Sequence, residues 1–231
     1  MLEFIFPRRC LLCYRVPHDA WEDLCPSCVS NIHRLRLPHC TCCAKPFEAP
    51  GEYHLCGDCL KHPKAFRKLF TGGEYGGSLK DLIHLGKFSE REDVLRPLVR
   101  FLLQQDRVGF APEDYDLLTC IPTTPRRLRQ KGLHLAARLV QTLGKIYRLP
   151  VDPFGLRKVR ETPLQFELNE RERWKNLKGV FQTSSNFKKG IKKVLLVDDV
   201  YTTGATLHEG AMALKKAGVV VIDGLTLARG V

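Results

Sequence analysis

The chain has 231 residues, and 37 Lys and Arg against 25 Asp and Glu give it a formal net charge of +12. A hydrophobic content of 44% is enough for a packed core and excludes a disordered chain. No apolar run approaches the roughly 18 residues that a membrane span needs. The apolar residues 1–7 are too short for a secretory signal, so we expect a protein of a reducing compartment.

The first feature along the chain is a cluster of cysteines. Ten cysteines are present, and nine of them lie in residues 10–59. Eight form four CxxC pairs, a spacing that places two thiolates on one metal ion, so the four pairs predict two tetrahedral zinc sites. A disulfide scaffold and an iron–sulfur cluster are the alternatives, although nothing in the sequence directs export. The predicted zinc ligands are Cys10, Cys13, Cys25, Cys28, Cys40, Cys43, Cys56 and Cys59.

The CxxC spacing does not by itself say which pairs share a metal ion. The simplest assignment is sequential, with the first two pairs on one ion and the last two on the other; an interleaved arrangement stays open. Cys42 could replace Cys43, although the CxxC spacing favours Cys43. His39 and His54 flank the pairs and are second-choice ligands. Cys120 lies in an apolar stretch and is expected to be a buried core thiol.

The composition divides the chain in two. Residues 1–64 are rich in Cys, Pro and His, and a module with so little apolar content could hardly fold without metal. Residues 65–231 carry strand and helix patterns in alternation, which indicates an α/β sheet. We therefore expect a zinc-ribbon module over 1–64 and a second domain over 65–231, with its core built separately.

The second domain is predicted to begin with a loop or hairpin over residues 71–77, because four of these residues are glycine. Further along, residues 194–197 are continuously apolar, as expected of a central parallel strand that is covered on both faces. Helices are predicted over residues 78–85, 93–103, 133–147 and 206–217, and strands over residues 115–121, 178–182, 194–197 and 219–227.

Positive charge is concentrated in one part of the chain. Residues 121–193 contain 18 Lys and Arg against 5 acidic residues, a surplus of +13 that leaves the rest near neutral. Such a concentration predicts an anionic partner, either the phosphates of a small ligand or a nucleic-acid backbone. A solvated basic face with no partner is the alternative. Phe166, Trp174 and Phe181 lie in the same region and are candidates for stacking on bases.

The most specific local motif joins the buried strand at 194–197 to the next helix. Asp198 and Asp199 follow the strand, and a Thr-Thr-Gly-x-Thr run over residues 202–206 opens the helix. Ligands of α/β proteins bind at such strand-to-helix turns. Free N–H groups at the helix start favour a phosphate, and two carboxylates can accept hydrogen bonds from vicinal hydroxyls. The motif therefore predicts a site for a ribose 5-phosphate.

The same stretch resembles the phosphoribosyl pyrophosphate (PRPP) motif of type I phosphoribosyltransferases. The wider pattern resembles the ComF competence-protein family over essentially the whole chain: the cysteine pairs, Lys87 and Phe88, residues 121–132, and residues 160–168. The chain departs from that pattern at residues 133–135, which read Leu-His-Leu where the family has an aromatic residue, Asn and Gln.

This resemblance implies a double zinc ribbon followed by a type I phosphoribosyltransferase-like parallel sheet flanked by helices. It implies a role in natural transformation, in handling incoming single-stranded DNA. The location it implies is cytoplasmic, or at the inner membrane face through proteins of the competence machinery. The implied ligand is PRPP or a related ribose phosphate, with Mg²⁺ carried on the pyrophosphate oxygens. A homo-oligomer is compatible with it.

The resemblance also assigns roles to residues. The acidic pair would hold the ribose hydroxyls, the threonine-rich turn the 5-phosphate, and the segment after residue 121 the pyrophosphate. The implied PRPP-binding residues are Asp198, Asp199, Thr202, Thr203, Gly204, Ala205, Thr206, Thr123, Thr124, Arg126 and Arg127. A mobile hairpin that closes over such sites would carry Arg160, Thr162, Gln165 and Arg173. No catalytic residue is assigned.

Three functions follow as hypotheses. The chain is a phosphoribosyltransferase with an unknown acceptor, or a protein of that fold that has lost its chemistry and binds single-stranded DNA, or a zinc-ribbon adaptor that docks a motor or recombination partner. The intact acidic pair favours the first, because a purely DNA-binding face gains nothing from two carboxylates. The departure at residues 133–135 favours the second.

Overall fold

A computed structural model describes residues 8–16, 21, 23–88, 91–104, 111–124, 134–160 and 170–230. The helices are α1 (Pro26–Ser30), α2 (Gly57–Lys61), α3 (Gly77–Phe88), α4 (Leu95–Leu103), α5 (Leu135–Tyr147), α6 (Glu170–Leu177) and α7 (Ala205–Lys216). The strands are β1 (Leu69–Glu74), β2 (Leu117–Cys120), β3 (Val151–Asp152), β4 (Leu156–Lys158), β5 (Phe181–Thr183), β6 (Lys193–Tyr201) and β7 (Val221–Arg229).

The centre of the molecule is a five-stranded sheet in the order β1-β7-β6-β2-β3, with every neighbouring pair parallel. The predicted α/β class is therefore confirmed. The apolar run at residues 194–197 is fully buried in β6, as expected of a strand with packed layers on both faces. Strands β4 and β5 form a separate antiparallel pair outside this sheet.

Helices cover both faces of the sheet. α5 contributes Ala136, Val140 and Leu143 to the core on one face, which it shares with α3 and α4. α7 packs Leu207, Ala211 and Leu214 against the other face. None of the helices in the described parts of the chain is long and apolar enough to cross a membrane.

The prediction of a loop or hairpin at residues 71–77 is wrong over most of that range, because β1 runs through Glu74 as a buried edge strand. The glycines serve close packing rather than a turn. A Cβ on Gly72 would lie 2.8 Å from the Leu227 carbonyl oxygen. One on Gly73 would collide with the carbonyl of His33. Glycine at these positions lets the backbones approach, which local composition cannot distinguish from turn formation.

The cysteine-rich region shares its core with the sheet domain, contrary to the expectation of separately built cores. Cys10, Trp21 and Leu24 belong to the cluster that buries α3 and α4, whereas the five cysteines between residues 40 and 59 belong to the cluster around α7. Backbone hydrogen bonds also cross the junction, including Leu69 N to the Cys42 carbonyl at 2.7 Å. We therefore propose the boundary between residues 64 and 65 only as a division of the sequence, because the two parts share a packed core.

Candidate functional site

Two groups of four cysteine sulfurs lie in the N-terminal region, and within each group all the sulfurs lie within 4.8 Å of one another. The first holds Cys10, Cys13, Cys25 and Cys28, and the second holds Cys40, Cys43, Cys56 and Cys59. This is the sequential arrangement. Tetrahedral zinc with Zn–S bonds of about 2.3 Å needs sulfurs about 3.8 Å apart. The sulfur–sulfur distances of 3.5 Å between Cys13 and Cys25 and 3.7 Å between Cys43 and Cys56 fit that need.

The second sulfur group is more buried than the first. All four of its cysteines are buried, whereas Cys13 of the first group is exposed. Arg229, at the end of β7, donates from Nε to the Cys43 carbonyl at 2.8 Å, and its Nη2 lies 3.9 Å from the Cys43 sulfur. A buried guanidinium there offsets part of the negative charge that four thiolates bring to a zinc ion. Cys42, His39 and His54 lie outside both groups.

The sheet places the predicted ligand site at a topological switch point. All five strands are parallel, so their carboxyl ends meet at one edge. β2 and β6 are neighbours, yet the helix after β2 packs on one face and the helix after β6 packs on the other. A crevice opens where the connecting helices of adjacent strands diverge, and ligands of α/β proteins bind there. Thr123 and Thr124 follow β2 and residues 202–206 follow β6, so both segments adjoin this crevice.

The acidic pair lies near the carboxyl end of β6, as the motif predicted. The backbone N–H of Asp199 donates to Asp198 Oδ1 at 2.9 Å. Asp199 Oδ1 lies 2.8 Å from the Nζ of Lys87, which belongs to the last turn of α3. The two side chains are largely covered, with 29% of Lys87 and 20% of Asp199 exposed. Asp199 is therefore the carboxylate of the pair that has a cationic partner among the described residues.

The other carboxyl of the pair is that of Asp198, whose pKa is raised to about 8. Burial is the main cause, because it penalises the ionised form, and the negative charge of Asp199 adds to it. The Asp199 N–H and the charge of Lys87 act in the opposite direction. At neutral pH Asp198 is therefore largely protonated, and the pair carries about one negative charge.

This pKa predicts a pH dependence of stability. The folded protein keeps a proton on Asp198 between pH about 4 and pH about 8, whereas the unfolded chain, with an Asp pKa near 3.9, loses it. The free energy of unfolding contributed by this group therefore falls as pH rises through that window. We expect the free energy of unfolding of Asp198→Asn, measured relative to that of the wild type, to be higher at pH 8 than at pH 5. Urea unfolding curves at the two pH values measure this difference. Parallel pH profiles for the two proteins would contradict the assignment.

The turn that follows the acidic pair opens α7. Gly204 has φ +82°, in the left-handed region, and a Cβ there would collide with the Tyr201 hydroxyl, so glycine is required on both grounds. Thr203 Oγ1 accepts a hydrogen bond from Ala205 N at 3.4 Å. A twelve-residue helix begins at this turn, and the backbone N–H groups of a first helical turn favour an anion nearby. Thr202, Thr203 and Thr206 are all at least partly exposed there.

The segment after β2 is described as far as Thr124. Ile121 N donates to the Val197 carbonyl at 2.9 Å, so this segment leaves the sheet beside Asp198. His134, at the start of α5, donates from Nε2 to the Ile121 carbonyl at 2.8 Å and so helps to hold the segment. Arg126 and Arg127 lie outside the described residues, and their predicted contact with pyrophosphate stays a prediction.

The predicted hairpin corresponds to the excursion between the paired strands β4 and β5. Arg160 stands at its base and donates to the carbonyls of Asn176 at 2.8 Å and Lys178 at 3.1 Å. In this arrangement it binds the two ends of the excursion together. Thr162, Gln165 and the side chain of Arg173 lie outside the described part of the chain, so a role for them in closing over the site stays a prediction.

The aromatic residues proposed for base stacking have different environments. Phe181 is 6% exposed and belongs to the core, so its assignment to a stacking surface is wrong. Trp174 is partly buried, with its ring 5.0 Å from that of His208 and 4.9 Å from Lys64 Nζ. Phe166 lies outside the described residues. Burial of Phe181 follows from its position in β5, which packs against α7.

The basic surplus is not confined to the ligand crevice. Lys188, Lys189, Lys192 and Lys193 precede or begin β6, at the amino edge of the sheet and therefore opposite the acidic pair. The carbonyl of Lys192 accepts hydrogen bonds from Val220 N and Val221 N, both at 2.9 Å, so β7 begins at the same edge, a few residues after the end of α7. These four lysines of the basic surplus therefore lie away from the predicted ribose-phosphate site.

The sequence gives Lys87 no role beyond its place in the family pattern. Its contact with Asp199 joins residues 112 positions apart, from two elements with no local signal that links them. The one usable clue was its place in the last turn of a helix that follows a parallel strand.

Comparison with known proteins agrees with this architecture. Residues 1–60 match the double zinc ribbon domain family. The chain is 31% identical to the DNA utilization protein YhgH of Salmonella typhimurium over 226 residues, which cover 96% of this chain and 97% of that protein. It is 31% identical to Competence protein F of Haemophilus influenzae over 233 residues, or 99% and 100% of the two chains. Competence protein ComFC of Streptococcus pneumoniae is 28% identical over 89% of this chain and 87% of its own. With a double zinc ribbon ahead of a parallel α/β sheet and this similarity over nearly its full length, the chain belongs to the ComF family.

Proposed function

We propose that the chain binds PRPP with Mg²⁺ in the crevice between β2 and β6, and that it takes part in DNA uptake by competent cells. The observation that supports PRPP best is the acidic pair at the end of β6, a few residues before the Gly204 turn and the start of α7. The carboxylates can accept hydrogen bonds from the ribose hydroxyls, and the N–H groups at the helix start can bind a phosphate. A ribose 5-phosphate carries both kinds of group on one molecule. The names of the relatives support the role in DNA uptake.

The proposed activity is phosphoribosyl transfer to an acceptor that the crevice does not identify. As pyrophosphate leaves, C1 of the ribose gains positive charge, so the protein would act chiefly by positioning the sugar and stabilising charge on the leaving group. Thr123 and Thr124 would face the pyrophosphate, together with Arg126 and Arg127. Mg²⁺ would bind to the pyrophosphate oxygens, because it favours phosphate and water over sites built from protein alone.

A thermal-shift titration with PRPP and Mg²⁺ tests this proposal. A ligand that binds only the folded state must raise Tm. We expect Asp199→Ala to abolish the shift, and Thr203→Val with Thr206→Val to do the same, because each lost charge-assisted hydrogen bond costs about 1.5–3 kcal/mol, or about ten- to a hundredfold in affinity. Asp114→Asn, an exposed acidic residue elsewhere, is the matched control. Normal PRPP binding by Asp199→Ala, or its unfolding without ligand, would show that the acidic pair is structural.

Single-stranded DNA is a second proposed ligand, and the lysines at the amino edge of the sheet favour it. These lysines are all exposed, and they come from the segment before β6 and from the end of α7. They are Lys188, Lys189, Lys192, Lys193, Lys215 and Lys216. Because this amino-edge cluster lies opposite the crevice, DNA bound there would leave the proposed PRPP site open.

A further inference from the structure

The ion pair between Lys87 and Asp199 places a cation inside the proposed ribose site. The Lys87 Nζ lies 2.8 Å from Asp199 Oδ1. Its helix is firmly anchored, because Leu79, Leu82 and Ile83 of α3 are fully buried. The backbone of Lys87 is therefore held in position, whereas its four-carbon side chain is 29% exposed and can reorient.

The position of this cation matters for an anionic sugar. A carboxylate that accepts hydrogen bonds from the ribose 2- and 3-hydroxyls lies close to C1, because the 2-hydroxyl is on the carbon bonded to C1. In PRPP the C1 substituent is a pyrophosphate, and the negative charge of the acidic pair would oppose that of the pyrophosphate. The Lys87 Nζ already lies 2.8 Å from Asp199, so a change of its side-chain rotamer would bring it to that pyrophosphate.

We infer, on the basis of the proposed function, that Lys87 determines specificity for ribose phosphates with an anionic group on C1. In the empty site its ammonium group holds Asp199. When PRPP binds, the ammonium moves to a pyrophosphate oxygen, and Asp199 Oδ1 becomes available to a ribose hydroxyl. Ribose 5-phosphate offers no anionic group on C1, so its binding gains nothing from Lys87 and must still compete with it for Asp199.

The alternative is an ion pair without a role in binding. Partly exposed ion pairs stabilise proteins little, so loss of a pair with no role in binding would change Tm little and would not change ligand selectivity. Selectivity between PRPP and ribose 5-phosphate therefore distinguishes the two interpretations.

The test is calorimetric titration of both ligands, each with Mg²⁺, into the full chain. We expect Lys87→Met to weaken PRPP binding about ten- to a hundredfold and to leave ribose 5-phosphate binding equal to or tighter than that of the wild type. Lys87→Arg keeps the charge and should retain most of the PRPP affinity. Lys80→Met, at an exposed position on the same helix, removes a lysine without affecting either ligand.

Three outcomes overturn the inference. PRPP binding by Lys87→Met at the wild-type affinity would show that the pair has no role in binding. Equal losses for PRPP and ribose 5-phosphate would show that Lys87 acts only by positioning Asp199. If the wild type binds neither ligand, the proposed function itself fails, and the selectivity inference fails with it; the first two outcomes leave PRPP binding intact as a proposal. Unliganded Tm values of Lys87→Met and Lys87→Arg check that both variants fold.

Discussion

Replacing Cys59 by serine will lower the Tm of the entire chain by about 10 °C or more, in a single cooperative transition. Structural zinc contributes about 10–16 kcal/mol of binding free energy in zinc-finger peptides, and each kcal/mol is worth about 2–4 °C in a domain of this size. Cys59 belongs to the buried sulfur group whose neighbours pack around α7. Loss of that metal site therefore weakens the sheet domain as well as the ribbon. Differential scanning calorimetry measures both the shift and the number of transitions.

The control variant is Cys120→Ser, because Cys120 is a buried cysteine outside both sulfur groups, with its Sγ donating to the Pro153 carbonyl at 3.4 Å. Metal analysis of the freshly reduced proteins should find two zinc ions per chain in the wild type and in Cys120→Ser, and one in Cys59→Ser. Cys13→Ser should be less destabilising, since Cys13 is exposed. An independent melt of the sheet domain, unmoved in Cys59→Ser, would contradict the shared core; one zinc or none in the wild type would contradict the two-site assignment.

Single-stranded DNA will bind with a steep salt dependence and little sequence preference, because lysines rather than base-reading side chains dominate the amino-edge cluster. For single strands, the slope of log K against log salt is about −0.7 per phosphate neutralised. With about five phosphates in contact, affinity should fall about a hundredfold between 50 and 200 mM salt. Replacing Lys188, Lys189 and Lys192 by glutamine should weaken binding and flatten this slope, as measured by fluorescence anisotropy.

A triple variant with the same change in net charge is the matched control. Lys45, Lys80 and Lys145 are exposed and scattered over the chain, so their replacement by glutamine should alter DNA binding little. PRPP with Mg²⁺ should not compete with DNA, since the two proposed sites lie at opposite edges of the sheet. Competition between them, or equal losses in the two triple variants, would rule out the amino-edge cluster as the DNA site.

The features that the sequence determined by itself are those encoded by close spacing along the chain. A CxxC pair brings two thiolates to one metal through a single turn, so its chemistry can be read without knowing the fold. The same holds for the strand–turn–helix around Asp198, Asp199 and Gly204, where an apolar run, an acidic pair and a helix start follow one another directly. Helix α7 was predictable for the same reason, because its buried residues recur at helical spacing.

Tertiary structure alone decided what depends on pairs of elements far apart in sequence. The glycines of β1 predicted a turn, but strand pairing with β7 and the approach of His33 made them part of a buried strand. The basic surplus is one continuous stretch of the sequence. In the fold, however, the lysines that precede β6 lie at the edge of the sheet opposite the acidic pair, because the strand runs from one edge to the other. Lys87 meets Asp199 only because α3 and β6 end at the same edge. In each case the deciding contact joins residues far apart in sequence. Chain topology brings them together, and no local sequence pattern predicts that.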